Sequence, residues 1–227
     1  ERLFANHQYG EAGRQIYDFF WSEFADWYIE IAKIQLAAGG DRAHYTAYTL
    51  TRVLDACLRL LHPYTPFVTE ELWGHLKQAC QQTSARFAPQ NGWESALIAA
   101  RWPEANDPEG WEEEKIAAFN LIQESIRAIR NLRAEKKVAP NKRLAAVIAA
   151  GDKLSLFQEQ AANLAALANL DPGQLTLVAS LAEKPAGQTA LVISGVEIFV
   201  QLADVVDSAA EKERLQKELA EVESQIG

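Results

Sequence analysis

The most constraining feature of the sequence is a proline-containing corner between two helical patterns, within Leu50–Trp73. Before the corner, apolar residues recur at three- and four-residue spacing, which predicts a helix with one buried stripe. His62-Pro63 stops this helix, because the residue before a proline is disfavoured in the α region. Thr65 and Pro66 then suit the N-cap and the first position of a following helix. The stretch therefore predicts two helices joined by a tight corner.

Helical periodicity predicts two further helices besides the two that meet at the corner, and a loop before the last helix. The four predicted helices span 11–37, 42–61, 66–82 and 111–137, and the loop spans 83–110. Gly39-Gly40 is predicted to end the first helix, and Asp41 to cap the second. Trp93 and Trp102 are predicted to hold the loop against the bundle. The residues expected to face the core from the fourth helix are Ile116, Phe119, Ile122, Ile126 and Ile129.

The pattern changes after Pro140, which is predicted to end the fourth helix. Short apolar runs predict strands at 144–149, 174–179 and 189–201, with a hairpin turn at Ser194-Gly195 in the last run. A helix is predicted at 153–168, so the order is βαβββ. A helix at 208–226 has the start of a heptad pattern, which suggests half of an antiparallel hairpin or, alternatively, a self-associating helix.

The predicted fold class is mainly α, in three parts. A helical bundle is expected at 1–140, a small α+β unit at 141–206, and the start of a coiled-coil arm at 207–227. The chain begins with Glu and not with Met, so we expect it to be part of a longer protein. It has no run of about 18 apolar residues, so no membrane-spanning helix is predicted.

Charge is distributed unevenly along the chain. The net charge is −9, but the segment 127–143 holds seven basic residues and one acid, so it carries +6 and the remainder −15. Four of these basic residues recur at helical spacing and are candidates for binding RNA phosphates. They are Arg127, Arg130, Arg133 and Lys137. The alternative interpretations are an ordinary solvated helix face and a brace between the bundle and the α+β unit.

A second candidate surface lies on the first helix, where aromatic residues form two stripes. One stripe, which includes Trp27, is expected to be core. The other includes Tyr17 and Trp21, which are candidates for stacking on unpaired bases, with Arg14 beside them. Core packing is the alternative for Trp21 as well.

No catalytic or metal centre can be assembled from the sequence. It contains no Gly-rich phosphate loop, its His residues lack metal-ligand spacing, and Cys57 and Cys80 are too few for a zinc ribbon. We expect both cysteines to be reduced core thiols. Neither a metal nor a cofactor is therefore expected in this chain.

Three motifs resemble one family in their order and spacing. They are YDFFWSEFADWYIEIAK at 17–33, LLHPYTPFVTEELW at 60–73 and IRNLRAEKKVAPNK at 129–142. The corner resembles the anticodon-binding bundle of class I aminoacyl-tRNA synthetases, and the three together closely resemble the valyl-tRNA synthetase family. The isoleucyl and leucyl enzymes share the corner and remain alternatives, as does a helical scaffold that binds another protein.

The resemblance implies a function that the chain performs only in part. The family joins valine to its tRNA with ATP, but its two nucleotide-binding signatures and its editing residues do not occur in this chain. The resemblance thus implies a tRNA-binding part of a valine–tRNA ligase, with ATP used in a catalytic domain elsewhere in the parent protein. We expect a cytoplasmic monomer, with the valine-specific tRNA as its partner and no membrane association.

Overall fold

The computed structural model describes residues 2–83, 87–89, 92–105 and 107–202. These residues form two compact units, which divide between Asp107 and Pro108. This division lies at a different place from the predicted domain limit at 140. The predicted arm at 207–227 is outside the described residues.

The first unit is helical. Its helices are α1 (Arg2–Ala5), α2 (Tyr9–Asp18), α3 (Ile29–Ala38), α4 (Gly40–Leu61) and α5 (Pro66–Thr83). A π-helical segment, Phe19–Tyr28, joins α2 to α3 without a break. The three helices predicted here are confirmed. The prediction that Asp41 caps α4 is wrong, because the N-cap position is Gly39 and Asp41 lies in the first turn.

The π-helical segment was not predicted, and it changes which residues share a face. A π-helix has wider turns than an α-helix, so a stripe spaced for 3.6 residues per turn drifts across it. Phe24 and Trp27 are buried, and the prediction that Trp27 is core is confirmed. Tyr17 and Trp21, in contrast, remain about half exposed.

The corner joins α4 to α5 and packs on α2. The Tyr64 hydroxyl donates a hydrogen bond to the Tyr9 carbonyl at 2.7 Å. The Tyr64 ring lies so close to Gly13 that an added Cβ would be 2.8 Å from a ring carbon. Pro66 is the first residue of α5, as predicted. The corner therefore fixes α2 as well as the two helices that it joins.

The predicted loop is held to the helices by aromatic and polar contacts. The rings of Trp93 and Trp73 meet edge to face at 5.1 Å, and Trp102 meets Phe4 of α1 in the same manner. A 3-10 turn at Leu97–Ala99 buries Leu97 against Trp73. These contacts confirm that Trp93 and Trp102 pack on the helical unit.

The second unit is a four-stranded sheet with helices. Its elements are α6 (Glu112–Glu135), β1 (Leu144–Ala149), a 3-10 turn (Gly151–Lys153), α7 (Leu154–Glu159), α8 (Ala161–Leu167), β2 (Leu170–Val178), β3 (Gln188–Ile193) and β4 (Val196–Gln201). The sheet order is β2-β1-β4-β3, with β1 and β2 parallel and the other pairs antiparallel. The predicted βαβββ order is confirmed, although a break at Gln160 divides the predicted helix into α7 and α8.

The helix α6 contacts α8 and β3 in this unit. Ile122, Ile126 and Ile129 are buried, as predicted. Ile116 is 58% exposed, so its predicted core position is wrong: the buried part of α6 begins only at Leu121. This difference arises because helical periodicity gives the phase of a stripe but does not show where along the helix the neighbours begin.

The end of α6 also differs from the prediction. Lys137 has a φ of 51°, and its N–H donates to the Ala134 carbonyl while that of Val138 donates to the Arg133 carbonyl. These are the hydrogen bonds of a Schellman motif, which satisfies the last carbonyls of a helix. The helix is thus ended by the left-handed residue Lys137, and Pro140 lies in the turn that follows.

Two glycines of α2 provide a test of the corner. Gly13→Ala should crowd the Tyr64 ring, at a cost of about 1–3 kcal/mol typical of overpacking. Gly10→Ala meets open space and should be neutral or stabilising, because alanine is the better helix former. Urea unfolding of the two variants compares them directly. Equal stability would show that the corner does not depend on close contact with α2.

Candidate nucleic-acid interface

The first candidate surface is one face of the helix that begins with α2. Arg14, Tyr17 and Trp21 follow one another at three- and four-residue spacing, so they lie along one face. Tyr17 is 57% and Trp21 50% exposed, and their ring centroids are 6.1 Å apart. The structure therefore brings these three predicted residues together. Two half-exposed aromatic rings provide area on which unpaired bases can stack.

Arg14 is engaged with two carboxylates on the same face. Its guanidinium lies 2.8 Å from Glu11 and 3.1 Å from Asp18. Hydrogen bonding by Arg14 holds the pKa of Glu11 below its usual value, and Glu11 raises the pKa of Arg14 in turn. These ion pairs neutralise the charge of Arg14 locally, so a phosphate would have to compete with Glu11 and Asp18.

Sequence reasoning missed further exposed aromatic residues on α4. Tyr45 is 69% and Tyr48 39% exposed, and the guanidinium of Arg52 lies 6.0 Å from the centroid of the Tyr48 ring. Both tyrosines lie off the apolar stripe of this helix. Their position in the sequence could have identified them, since an aromatic residue outside the buried stripe faces solvent or a partner and not the core.

The second candidate surface is the late part of α6. Arg127 and Arg130 are exposed. The Nε of Arg130 donates a hydrogen bond to the Leu167 carbonyl at 2.7 Å, at the end of α8. Arg130 thus holds α6 to the end of α8 within this unit.

Arg133 differs from its neighbours, because it is buried with 8% exposure. Its guanidinium donates to the carbonyls of Ala139 (3.2 Å), Lys142 (2.8 Å) and Asn169 (3.4 Å). Burial lowers the pKa of Arg133 from its ordinary value. The sequence placed Arg133 on one exposed strip with Arg127 and Arg130, and the structure corrects that placement. The phosphate contact of Arg133 stays a prediction, and the burial of the Arg133 side chain argues against it.

Basic residues after the end of α6 are more accessible. Lys137 is exposed at the Schellman turn. Lys142 and Arg143 are also exposed, although they were predicted only to belong to the basic segment and not to be binding residues. The Lys142 N–H donates to the Ala139 carbonyl at 3.0 Å, which closes a turn around Pro140. No periodicity signals these two cations, because they lie outside the helix.

The described ranges contain neither a metal centre nor a membrane span. No group of three or more His, Cys, Asp or Glu side chains is placed there to hold a metal ion. None of the helices in the same ranges combines the length and apolar character needed to cross a membrane. Cys57 and Cys80 are buried and unpaired, and burial raises the pKa of Cys57 to about 11.

A sequence family accounts for most of the chain. The family described as "Anticodon-binding domain of tRNA ligase" matches residues 1–148. The chain belongs to this family. The matched range contains all of the first unit, the helix α6 and most of β1, so the family's domain extends beyond the division between the two compact units.

Curated relatives of this chain include valine–tRNA ligases. It is 36% identical over 226 residues to a valine–tRNA ligase of Dehalococcoides mccartyi, covering 99% of this chain and 24% of that protein. It is 38% identical to the valine–tRNA ligase of Symbiobacterium thermophilum, and the match covers 96% of this chain and 24% of that protein. It is 37% identical to the valine–tRNA ligase of Bacillus cereus, and the match covers 93% of this chain and 22% of that protein. The chain spans about a quarter of the length of these relatives.

The burial of Arg133 leads to a stability prediction. Arg133→Ala removes charge-assisted hydrogen bonds to three carbonyls and should lower the free energy of unfolding by about 2 kcal/mol or more. Lys142→Ala removes an exposed cation and should change it by less than about 0.5 kcal/mol. Denaturant unfolding followed by circular dichroism compares the two. Similar small losses would mean that Arg133 does not brace the turn.

Proposed function

We propose that this chain is the tRNA-binding, anticodon-recognising part of an enzyme that attaches valine to its tRNA with ATP. The observation that carries the proposal is the similarity to valine–tRNA ligases over 99% of the chain, which continues past the anticodon-binding range at 1–148. The ATP site and the reaction belong to other parts of the parent protein. The partner is the valine-specific tRNA, the protein acts in the cytoplasm, and the chain itself contributes binding.

The half-exposed aromatic face supports a contact with unpaired bases. An anticodon loop presents bases that can leave their stack, and aromatic rings accept them with little dependence on sequence. Tyr17 and Trp21 supply such rings beside one another, with Arg14 on the same face. On binding, the Arg14 guanidinium would leave one of its carboxylate partners and pair with an RNA phosphate, or it would donate to the edge of a base. Tyr45 and Tyr48 extend the candidate set to α4.

The basic residues of α6 support a contact with the tRNA backbone. Exposed Arg127 and Arg130, together with Lys137, can neutralise phosphates and release counterions, which makes affinity depend on salt. Arg133 is assigned a bracing role because of its burial. The acidic remainder of the chain opposes contact elsewhere, since a net negative surface repels a polyanion.

The stacking contact is tested in the full-length parent enzyme. Trp21→Ala should weaken binding of the valine tRNA about 5- to 100-fold, because a stacked base contributes about 1–3 kcal/mol. The matched control is Trp111→Ala, since Trp111 is similarly exposed, at 54%. Unfolding of each variant is measured first. Lost stability with unchanged tRNA affinity would mark Trp21 as a packing residue.

The choice of tRNA separates the proposed function from its alternatives. The wild-type enzyme should bind the valine tRNA more tightly than the isoleucine or leucine tRNAs and than a random RNA at moderate salt. Preference for the isoleucine or leucine tRNA would assign the chain to one of those enzymes. Equal binding of all RNAs would favour a protein-binding scaffold whose basic segment attracts any polyanion.

A further inference from the structure

Three exposed cations lie within seven residues at the end of α6, in a segment that we call the basic turn (residues 137–143). They are Lys137, Lys142 and Arg143. Considering the described residues alone, no carboxylate lies within ion-pair distance of any of the three, whereas the neighbouring Lys136 is paired with Glu135 at 3.3 Å. Cations without counter-ions retain their positive potential, which attracts anions to this part of the surface.

Two side chains from outside the basic turn hold its backbone in place. Arg133 donates to the carbonyls of Ala139 and Lys142, at 3.2 and 2.8 Å. Asn169, which precedes β2, donates to the carbonyls of Pro140 and Lys142 at 2.6 and 3.2 Å. Lys142 therefore sits on a backbone fixed from two sides. A fixed turn loses little conformational entropy when it binds a ligand, so its cations are preorganised.

The buried guanidinium of Arg133 adds charge behind this turn. Its guanidinium donates to carbonyl oxygens, and no carboxylate of the described residues forms an ion pair with it. Carbonyls solvate a cation but do not cancel its charge. A buried charge without a counter-ion is costly, and an anion held at the surface of the turn would reduce that cost.

We propose that the basic turn binds phosphodiester groups of tRNA, with Lys142 and Arg143 as the contacting residues and Arg133 and Asn169 as positioning residues. This inference rests on the proposed function, which supplies the polyanion, and it places the phosphate contact on a turn rather than only on the exposed face of α6. Both cations directly precede β1, an inner strand of the sheet, so they are carried by the start of a paired strand and not by a flexible tail.

The contacts are tested by the salt dependence of tRNA binding in the full-length parent enzyme. Each phosphate contact contributes about 0.7–0.9 to the slope of log K against log salt concentration. The double variant Lys142→Ala/Arg143→Ala should therefore flatten the slope by about 1.5 and weaken binding about 30-fold at 0.1 M salt.

The matched control is Lys153→Ala/Lys184→Ala, which removes the same charge from the same unit. Lys153 is paired with Asp152, and Lys184 with Glu197, which opposes Ala149 at the other end of β1. This variant should leave the slope unchanged. An equal loss in both variants would overturn the proposal, since it would show a general effect of charge.

The outcomes also separate this inference from the proposed function. If the wild-type enzyme binds the valine tRNA specifically and the Lys142/Arg143 variant has the same slope, the basic turn is not a phosphate site, and the proposed function stands. If the wild-type enzyme does not distinguish this tRNA from a random RNA, the proposed function itself fails, and the inference with it.

The positioning role is tested without changing charge. Asn169 has a φ of 53°, which glycine adopts without strain, so Asn169→Gly removes the side-chain amide and preserves the backbone. Affinity for tRNA should fall about two- to tenfold at every salt concentration, because the turn must be ordered on binding, while the slope is unchanged. Wild-type affinity in a variant shown to be folded would overturn the positioning role.

Discussion

The first unit depends on one buried carboxylate, that of Asp55 in α4. It accepts a hydrogen bond from the Trp73 indole at 2.7 Å and is paired with Arg59 at 3.0 Å. Arg59 in turn donates to the Arg101 carbonyl at 3.1 Å and lies 3.6 Å from Glu94. One ion pair thus joins α4, α5 and the loop. Removal of one partner would leave the other charge buried without compensation, so few other side chains can replace Asp55 or Arg59.

The parts of this fold that follow from local rules could be predicted, and the rest depend on contacts distant in sequence. Pro63 has no N–H to continue the helical hydrogen bonds, so α4 ends at Leu61 as predicted, but His62 keeps α-helical φ and ψ angles, which corrects the expectation that it would leave the α region. Pro66 starts α5, and the hairpin at Ser194-Gly195 needs only two residues with positive φ. The π-helical segment has no such rule. The Asp55 network likewise joins residues up to 46 positions apart, which no periodic pattern reveals.

The candidate site shows the same limit at the level of single side chains. Helical spacing correctly grouped Tyr17 with Trp21, because both lie on one helix. Helical spacing also grouped Arg133 with exposed arginines, although its partners at 139, 142 and 169 bury it. Spacing identifies the face of a helix, whereas the carbonyls that a guanidinium reaches are set by the turn and strand packed beside it.

The two units carry chemically different candidate surfaces for RNA. On α2, the charge of Arg14 is opposed by Glu11 and Asp18, so the aromatic face offers stacking with little net attraction for phosphate. In the second unit, Lys142 and Arg143 have no such acids beside them within the described residues. Stacking depends weakly on salt and phosphate contact depends strongly on it. The salt dependence of tRNA affinity should therefore reside in the second unit, and substitutions in the aromatic face should lower affinity without changing the slope.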